Sequence, residues 1–514
     1  MSSSQPIRIG AIDLGPSTGR VIVGTIAEGR ITLTETRRFT NSAVPLPTRA
    51  GERLYWDVLR LWGEIREGLL AAVRDVGPLS AIGVDAWGVD YGLVNGNGVP
   101  AGMVSAYNSQ RTTGMPERLF SAIPAGELYR INGLQVQEFN TVFQLLAEKL
   151  DGGLPTPGNG LPSRTLLLLP DLITCWLTGA MYAEVTNAST TGLVDVRTRS
   201  WSRPLVERLR TELGLDLVGV LPETIEAGTV VGPVRRDALE VFGPDGAPTP
   251  VVAVGSRDTA SAVVAVPATG EDFAYVSCGT WSHVGLELER PVLSEASRRA
   301  NFSNELGVDG SVRYLKNVMG LWVLNEAVRT WGRQGLDVSL TDLDAAAESS
   351  EPLRTVVDLD DPAFLAPGDM AARIDDAARS TGQPRPRTVG EYARCINESL
   401  ALAYRRAVRQ AVALSGKQVS VLHIVGGGVR NRLLCQLAAD ATGLRVVAGP
   451  VEATALGSIT IAARGAGLIS GELARLRDLV RASAEIVEYA PDPDAAEAWD
   501  AAERRVFGEP ASQS

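Results

Sequence analysis

The first hundred residues alternate between short apolar runs and turn residues. Apolar runs and period-two alternation predict three strands joined by tight turns, over residues 7–13, 20–27 and 31–39. Apolar residues at helical spacing predict an amphipathic helix over 55–76. A wholly apolar run then predicts a buried strand over 81–85, with 89–94 as its hairpin partner. This order of elements predicts an α/β fold with a mixed sheet and helices on its faces.

The same plan starts again in the second half of the chain. A strand over 273–277, a tight turn at Cys278-Gly279-Thr280 and a strand over 281–287 repeat the strand–turn–strand order of the N-terminus. Before this repeat, a strand over 251–254 leads to a helix over 260–266, and residues 267–270 are a candidate hinge. The other predicted elements are helices over 318–331, 340–347, 389–414 and 431–441, a strand over 419–425 and a surface loop over 151–163.

The chain of 514 residues is too long for one hydrophobic core. We therefore expect two domains, at 1–268 and 269–490. The residues from 491 to 514 are expected to form a loosely held tail.

Composition and charge restrict the partners. With 49 basic and 60 acidic residues the formal charge is −11, which argues against a nucleic-acid partner but not against one bound nucleotide. The first six residues lack the features of a secretory signal, and no apolar run approaches the roughly 20 residues that span a bilayer. The four cysteines are scattered and there are two histidines, so no zinc-ligand spacing occurs. We expect a cytoplasmic protein that is a monomer or a small homo-oligomer.

A carboxylate and a glycine-flanked turn follow the first predicted strand. Asp13 precedes Leu14-Gly15-Pro16-Ser17-Thr18-Gly19, which matches neither a Walker A loop nor a Rossmann fingerprint. Glycine lets backbone N–H groups approach phosphate oxygens, and a nearby aspartate can hold Mg²⁺ through water. An ordinary hairpin turn is the alternative interpretation.

Two glycine turns of the second half suit a nucleotide. Gly279-Thr280 occupies the place that matches the first turn, and Gly426-Gly427-Gly428 lies between a buried strand and a helix. Glycines at such positions allow close approach of a flat ring or a phosphate, and a helix N-terminus adds positive potential. A simple β-turn and a flexible loop are the respective alternatives.

Two further segments offer polar groups at strand ends. Asp258 lies between a predicted buried strand and a helix, where it is either a helix N-cap or a base that accepts a proton from an attacking hydroxyl. The segment Asp85-Ala86-Trp87-Gly88-Val89-Asp90 suits sugar binding, with Trp87 either stacked on a sugar or part of the core.

The order and spacing of these signals resemble the FGGY family of carbohydrate kinases from about residue 7 to 465. Within the family the chain is most similar to members that phosphorylate L-rhamnulose. The resemblance rests on seven stretches, 13–20, 85–90, 170–171, 256–262, 278–282, 315–322 and 423–428, and the closer match on 186–191 and 449–453.

This resemblance implies two actin-like (ribonuclease H-like) ATPase domains, with mixed sheets flanked by helices, separated by a catalytic cleft. It implies transfer of a phosphoryl group from ATP, with Mg²⁺, to L-rhamnulose, giving L-rhamnulose 1-phosphate. Asp258 is the implied catalytic base and Asp13 the implied metal contact. The implied nucleotide contacts are Asp13, Pro16, Ser17, Thr18, Gly19, Arg20, Thr280, Asn325 and Gly427. The implied sugar contacts are Gly88, Arg257, Asp258, Thr259 and Asn317.

Two positions near the expected sugar site depart from the family pattern. Arg257 stands where the L-rhamnulose kinases tend to have histidine, and Ser109 replaces an aspartate of the family. A related ketose such as L-fuculose or L-xylulose is therefore an alternative substrate. An actin-like ATPase without a sugar requirement and a sugar-sensing repressor are more distant alternatives. The first should carry a peptide-binding domain and the second an N-terminal helix-turn-helix, and the sequence pattern indicates neither.

Overall fold

The computed structural model describes residues 6–49, 51–154, 164–336 and 338–508. Its strands are β1 Ile7–Leu14, β2 Thr18–Ala27, β3 Arg30–Thr40, β4 Val44–Thr48, β5 Gly51–Trp56, β6 Ala81–Ala86, β7 Tyr91–Val94, β8 Val104–Ser105, β9 Thr165–Leu168, β10 Ala183–Glu184, β11 Val194–Asp195, β12 Ser200–Trp201, β13 Thr224–Ile225, β14 Val230–Pro233, β15 Pro250–Val252, β16 Phe273–Cys278, β17 Trp281–Leu288, β18 Ser303–Leu306, β19 Val312–Met319, β20 Val421–Val425, β21 Arg445–Ala448 and β22 Val487–Tyr489.

The helices lie mainly between these strands. They are α1 Val58–Asp75, α2 Met115–Phe120, α3 Ala125–Asn132, α4 Thr141–Leu150, α5 Leu169–Thr178, α6 Val185–Ala188, α7 Arg203–Leu213, α8 Asp258–Val264, α9 Glu295–Arg299, α10 Trp322–Arg333, α11 Leu340–Glu348, α12 Met370–Ser380, α13 Val389–Ser415, α14 Arg432–Thr442, α15 Ala453–Gly465, α16 Leu473–Ser483 and α17 Ala496–Phe507. Within the described ranges, no helix has both the length and the apolar character needed to cross a membrane.

The chain divides into two compact units. Unit 1 comprises Met1–Ala265, Leu288–Tyr314 and Ala453–Ser483, and unit 2 comprises Val266–Glu287, Leu315–Glu452 and Ala484–Ser514. Two later segments thus return to unit 1, because α15 packs against α8, β1 and β6. Such long-range packing leaves no local pattern in the sequence. The contiguous domains 1–268 and 269–490, and the hinge at 267–270, stay predictions.

Unit 1 is built around a mixed six-stranded sheet in the order β14-β15-β6-β1-β2-β3. Its central strands β15, β6 and β1 are parallel, whereas β2 is antiparallel to β1 and to β3. Every residue of β6 is buried, because helices α15 and α5 pack against this strand. The carboxyl ends of parallel strands lie at one edge of a sheet. The last residues of β1 and β6 and the first residues after β15 are therefore neighbours at that edge.

Six strands of a seven-stranded sheet in unit 2 repeat this order, β22-β21-β20-β16-β17-β19. Here β16, β20 and β21 are parallel, and β17 is antiparallel to β16. The strand–turn–strand repeat inferred from the sequence therefore corresponds to two sheets with the same strand order. The predicted mixed α/β architecture is confirmed.

Four local predictions are wrong. The first helix begins at Val58, after the N-cap Asp57, because residues 51–56 form β5. Strand β7 pairs antiparallel with β9 rather than with β6. Residues 318–319 belong to β19, and α10 starts only at Trp322. Most of the predicted loop at 151–163 lies outside the described residues.

The C-terminal segment is the fourth correction. Instead of a loose tail, residues 496–507 form α17, whose Trp499 is 2% exposed. The buried Arg405 of α13 pairs with Asp500 and with Glu503, the latter at 3.0 Å. Burial of this large aromatic side chain offsets the conformational entropy that is lost when a terminal helix becomes ordered.

Candidate active site

Three aspartates converge at the carboxyl edge of the unit 1 sheet. Asp13 of β1 and Asp85 of β6 are register partners on neighbouring parallel strands. The chain after β15 reaches the same edge, where Ala86 and Arg257 form a parallel bridge immediately before Asp258. The sequence had marked Asp13 and Asp258 as separate signals, and the topology of unit 1 brings them together.

The electrostatics of this edge are unfavourable for a third negative charge. Burial raises the pKa of Asp85 well above its usual range, and the charges of Asp13 and Asp258 raise it further. The nearby Ser458 hydroxyl and the charge of Arg20 oppose this shift. Arg20 also donates to Asp13 at 2.5 Å, so its guanidinium contacts a carboxylate that was expected to contact a metal.

Asp258 is the first residue of α8 and is partly exposed. Its Oδ1 accepts hydrogen bonds from the Thr259 backbone N–H at 2.6 Å, from the Thr259 hydroxyl at 3.1 Å and from the Arg257 guanidinium. The N-cap position of α8 is Arg257, and it makes no side-chain capping bond. The N-cap interpretation of Asp258 is therefore not supported. The carboxylate retains 28% side-chain exposure, enough to meet a small substrate.

The Arg257 side chain lies against Gly88. A Cβ atom added at Gly88 would come within 3.0 Å of Arg257 Nε and 3.0 Å of the Thr190 hydroxyl. Both distances are shorter than ordinary van der Waals contact, so a side chain here would displace one of the two neighbours. Gly88 is thus needed for the close approach of Arg257, and the two expected sugar contacts are neighbours.

The residue that follows Gly88 has a strained backbone. Val89 has φ of 69°, which is unusual for a β-branched residue. Its N–H bonds to the Thr190 hydroxyl at 3.2 Å, and its carbonyl accepts from the Thr141 hydroxyl at 2.7 Å and from Gln144 at 3.2 Å. These bonds offset a conformational cost of about 1–3 kcal/mol. Strain held in this way is typical of functional sites.

Asp90 is the centre of a buried hydrogen-bond network. Its Oδ2 accepts from Trp56 Nε1 at 2.6 Å, from Trp87 Nε1 at 2.9 Å and from the Tyr107 N–H, while Gln144 donates to Oδ1. Burial raises the pKa of Asp90 to about 6, and these donors limit the rise. Trp87 is 4% exposed and its ring is tilted against that of Trp56, so it belongs to the core rather than to a sugar-stacking surface.

The turn after β1 is short and tied to a neighbouring segment. Gly15 N–H bonds to the Thr18 carbonyl at 2.8 Å, and Asn41 bonds to the carbonyls of Gly15 and Ser17. Pro16 is half-buried, whereas Ser17 and Thr18 are exposed and accessible to a phosphate. Gly19 is buried, with the Phe39 ring over it: an added Cβ would lie 2.2 Å from Phe39 Cε2.

The two glycine turns of unit 2 also share one sheet edge. Gly279-Thr280 follows β16 and Gly426-Gly427-Gly428 follows β20, its parallel neighbour. Gly426 and Gly428 pack on Cys278, whereas a Cβ at Gly427 would meet nothing within 4 Å. The open position among the three glycines is therefore the one that the resemblance assigns to a nucleotide.

The remaining expected contacts of unit 2 surround the first of these turns. Gly320 lets the turn pack closely, because a Cβ there would lie 2.6 Å from the Thr280 carbonyl oxygen. Trp322 N–H bonds to that carbonyl at 3.2 Å, which docks the start of α10 on the turn. Thr280 and Asn325 are exposed, and Asn317 lies on the preceding strand β19.

The residues of unit 1 fit a hydrated magnesium ion. In residues 6–49, 51–154, 164–336 and 338–508, no group of three or more His, Cys, Asp or Glu side chains is arranged to hold a metal ion alone. Mg²⁺ commonly keeps several waters and takes one or two carboxylates together with substrate phosphates. Asp13, beside two further aspartates, supplies such a donor set.

Sequence reasoning missed the residues that support this edge. Glu184 accepts hydrogen bonds from Ser256, and Thr186 accepts one from the Arg257 N–H. Both residues lie far from Asp258 in the chain. The sequence signal for them is one acidic residue, Glu184, in a segment that is otherwise apolar or rich in hydroxyl groups. Asp85 belongs to the segment 85–90 that the sequence indicates for sugar binding, but its place beside Asp13 follows only from the register of β1 and β6.

The comparison with family models identifies the class of this two-sheet α/β protein as the carbohydrate kinases. The models of the FGGY family of carbohydrate kinases match residues 8–265 with the N-terminal domain and residues 274–466 with the C-terminal domain. The chain belongs to this family. A carbohydrate kinase transfers a phosphoryl group from a nucleotide co-substrate to a sugar, and ATP is the co-substrate that the family implies.

Curated relatives extend over nearly the whole chain. It is 39% identical to the rhamnulokinase of Bacteroides thetaiotaomicron over 96% of this chain and 97% of the relative. It is also 39% identical to the rhamnulokinase of Klebsiella pneumoniae strain MGH 78578 over 94% of each.

Solved structures share the fold. The gluconate kinase of Lactobacillus acidophilus superposes with a TM-score of 0.76 at 15% identity, over 97% of this chain and 96% of that one. The xylulose kinase of Rhodospirillum rubrum gives a TM-score of 0.75 at 18% identity, over 97% of each chain. The fold is therefore that of the two-domain, actin-like sugar kinases.

Proposed function

We propose that the protein phosphorylates L-rhamnulose on its C1 hydroxyl with ATP, giving L-rhamnulose 1-phosphate and ADP. The near full-length similarity to rhamnulokinases supports the sugar, and one observation supports the chemistry. Asp258 presents a partly exposed carboxylate at the sheet edge, next to Arg257 and within the electrostatic influence of Asp85.

Asp258 acts as the general base in this proposal. Its Oδ1 is held by Arg257 and Thr259, and Oδ2 receives the proton of the attacking sugar hydroxyl. Phosphoryl transfer needs mainly positioning and charge stabilisation, so the fixed carboxylate orients the hydroxyl as well as accepting its proton.

The nucleotide contacts of this proposal are those that the family resemblance implies. Ser17 and Thr18, with the backbone from Pro16 to Arg20, contact phosphate oxygens, and Thr280 contacts them from its own turn. Gly427 lies along the adenosine and Asn325 makes a further contact. Asp13 holds Mg²⁺ through water, and the ion, when bound, offsets negative charge on the phosphates.

Sugar recognition falls to Gly88, Arg257, Thr259 and Asn317 together with Asp258. Arg257 offers several fixed N–H donors where the related kinases tend to have histidine, so it can bind a sugar hydroxyl while it orients the base. Ser109 is buried and shorter than the family's aspartate, which changes the polar surface near the same position.

The proposed setting follows from the reaction and the composition. The protein is proposed to work in the cytoplasm, where ATP is available, and the acidic chain to act as a monomer or small homo-oligomer without a nucleic-acid partner. Gel filtration with light scattering would measure the oligomeric state.

The test is ADP release by the purified protein with L-rhamnulose, L-fuculose, L-xylulose or no sugar, in the presence of Mg²⁺ and ATP. We expect L-rhamnulose to give a kcat/KM at least about tenfold above the other ketoses. A preference for L-fuculose or L-xylulose would correct the sugar while leaving the kinase intact. ADP release at the same rate without any sugar would contradict the proposal.

A further inference from the structure

Glu184 is a fully buried acid behind the turn that leads to Asp258. Its Oε2 accepts four hydrogen bonds: from Thr186 Oγ1 at 2.5 Å, Ser256 Oγ at 2.7 Å, Ser256 N–H at 3.0 Å and Asn187 N–H at 3.3 Å. Two of these donors belong to Ser256, which precedes Asp258 by two residues. All of these groups lie in unit 1.

A second link runs from Glu184 to Arg257. The Thr186 hydroxyl donates to Glu184 and accepts from the Arg257 backbone N–H at 3.3 Å. Glu184 therefore holds two successive backbone N–H groups of the turn, one directly and one through Thr186. Fixing both amides restricts the direction in which the following residue, Asp258, leaves the turn.

The burial of an acid here is costly. Burial raises the pKa of Glu184, and that of the adjacent buried Asp171 still more, with Glu184's own charge adding to the Asp171 shift. Four converging donors offset this cost, whereas an apolar side chain would fill the same space without it. The buried acid is thus unfavourable for stability, but it fixes one short stretch of backbone.

The same segment holds the other side of the site. Thr190 donates to the Asn187 carbonyl at 2.8 Å and accepts from the strained Val89 N–H at 3.2 Å. Residues 184–190 therefore anchor both the turn before Asp258 and the residue that follows Gly88. Displacement of Glu184 should disturb the relation between these two neighbouring parts of the site.

We propose that Glu184 is a positioning residue for the phosphoryl transfer, which fixes the Ser256–Arg257 backbone so that Asp258 and Arg257 face the sugar. This inference rests on the proposed function, because it assigns a supporting role at the same site. Glu184 itself contacts neither substrate.

Two substitutions separate positioning from space filling. Glu184→Met keeps the length of the side chain and removes the acceptor, whereas Glu184→Gln keeps an acceptor oxygen without the charge. Thr191→Val is the matched control, because Thr191 is buried in the same segment but its hydroxyl bonds to Ala188 and Leu193. We expect Glu184→Met to lower kcat for ADP release at least about 30-fold, with KM for ATP within about twofold of wild type.

The remaining variants complete the comparison. Glu184→Gln should retain kcat within about fivefold, and Thr191→Val within about threefold, of wild type. A folded Glu184→Met protein whose kcat stays within about threefold overturns the proposal. So does a Glu184→Gln protein that is no more active than Glu184→Met.

Hydrogen exchange measured by mass spectrometry gives a readout that needs no sugar. Peptides covering Ser256 and Arg257 should exchange at least about tenfold faster in Glu184→Met than in wild type, and Thr191→Val should leave them unchanged. Unchanged exchange in Glu184→Met overturns the positioning role. If Glu184→Met does not fold, Thr186→Val replaces it, with faster exchange expected at Arg257 and an unchanged rate counting against the proposal.

These readouts distinguish the two proposals. A wild-type protein inactive on every ketose defeats the proposed function, whereas the exchange experiment still tests the anchoring of the turn. An active wild type with an equally active, folded Glu184→Met variant defeats only the positioning role.

Discussion

Gly19 is expected to act by packing as well as by its place in the turn, and this can be tested with alanine. A Cβ at position 19 would lie 2.2 Å from Cε2 and 2.4 Å from Cζ of Phe39, its cross-strand partner. Ordinary carbon contacts are about 3.5–4.0 Å, so the ring must move by more than about 1 Å. Phe39 is 6% exposed and part of the core, and such overpacking costs about 1–3 kcal/mol.

The measurement is urea denaturation, followed by tryptophan fluorescence, of Gly19→Ala, Phe39→Leu and the double variant. The smaller leucine leaves room for the new methyl group, so the double variant should be more stable than the sum of the single effects by at least about 1 kcal/mol. The clash with Phe39 should also displace the turn, so KM for ATP should rise in Gly19→Ala even though alanine keeps the backbone N–H of residue 19. KM should return towards wild type in the double variant. Additive free energies of unfolding would refute the packing argument.

Two further predictions concern stability. In α1, Gly68→Ala should lower the free energy of unfolding by about 1–3 kcal/mol, because the new Cβ would lie 2.5 Å from Val21 Cγ2. In the same helix, Gly63 is exposed and a Cβ there would meet nothing within 4 Å, so Gly63→Ala should raise the free energy of unfolding by about 0.5–1 kcal/mol. Denaturant midpoints that shift in the same direction for both variants would contradict this. Because the pKa of Asp90 is raised to about 6, the folded chain holds this proton more tightly than the unfolded chain, so the contribution is full below about pH 4 and is lost as pH rises through 6. Relative to Asp90→Asn, wild type should lose up to about 3 kcal/mol between pH 4 and 7, and a pH-independent difference in urea denaturation would contradict the raised pKa.

Local sequence patterns correctly predicted those elements in which the apolar positions are also the buried positions. The apolar runs of β1, β6 and β20 and the helical period of α13 lie where they were expected. The failures occurred where a long-range partner decides the conformation. Residues 55–56 carry apolar side chains that a helix could also bury, and their pairing with β8 makes them a strand.

The site was predictable in part for the same reason. Glycine turns and carboxylates at strand ends identified Asp13, Asp258 and Gly427 as candidates, since strand ends of a parallel sheet meet at one edge. Glu184 could not be found this way, because its contact with Ser256 spans 72 residues. The sequence allows Trp87 either to stack on a sugar or to belong to the core. The structure decides for the core, because the Trp87 indole N–H donates to the buried Asp90.

The most direct test of the central claim is the rate of sugar-dependent ADP release by Asp258→Asn. Asparagine preserves the size of the side chain but cannot accept the hydroxyl proton, so we expect kcat with L-rhamnulose to fall by about 10²–10⁴ while KM for ATP changes by less than about threefold. A kcat within about threefold of wild type would show that Asp258 is not the base.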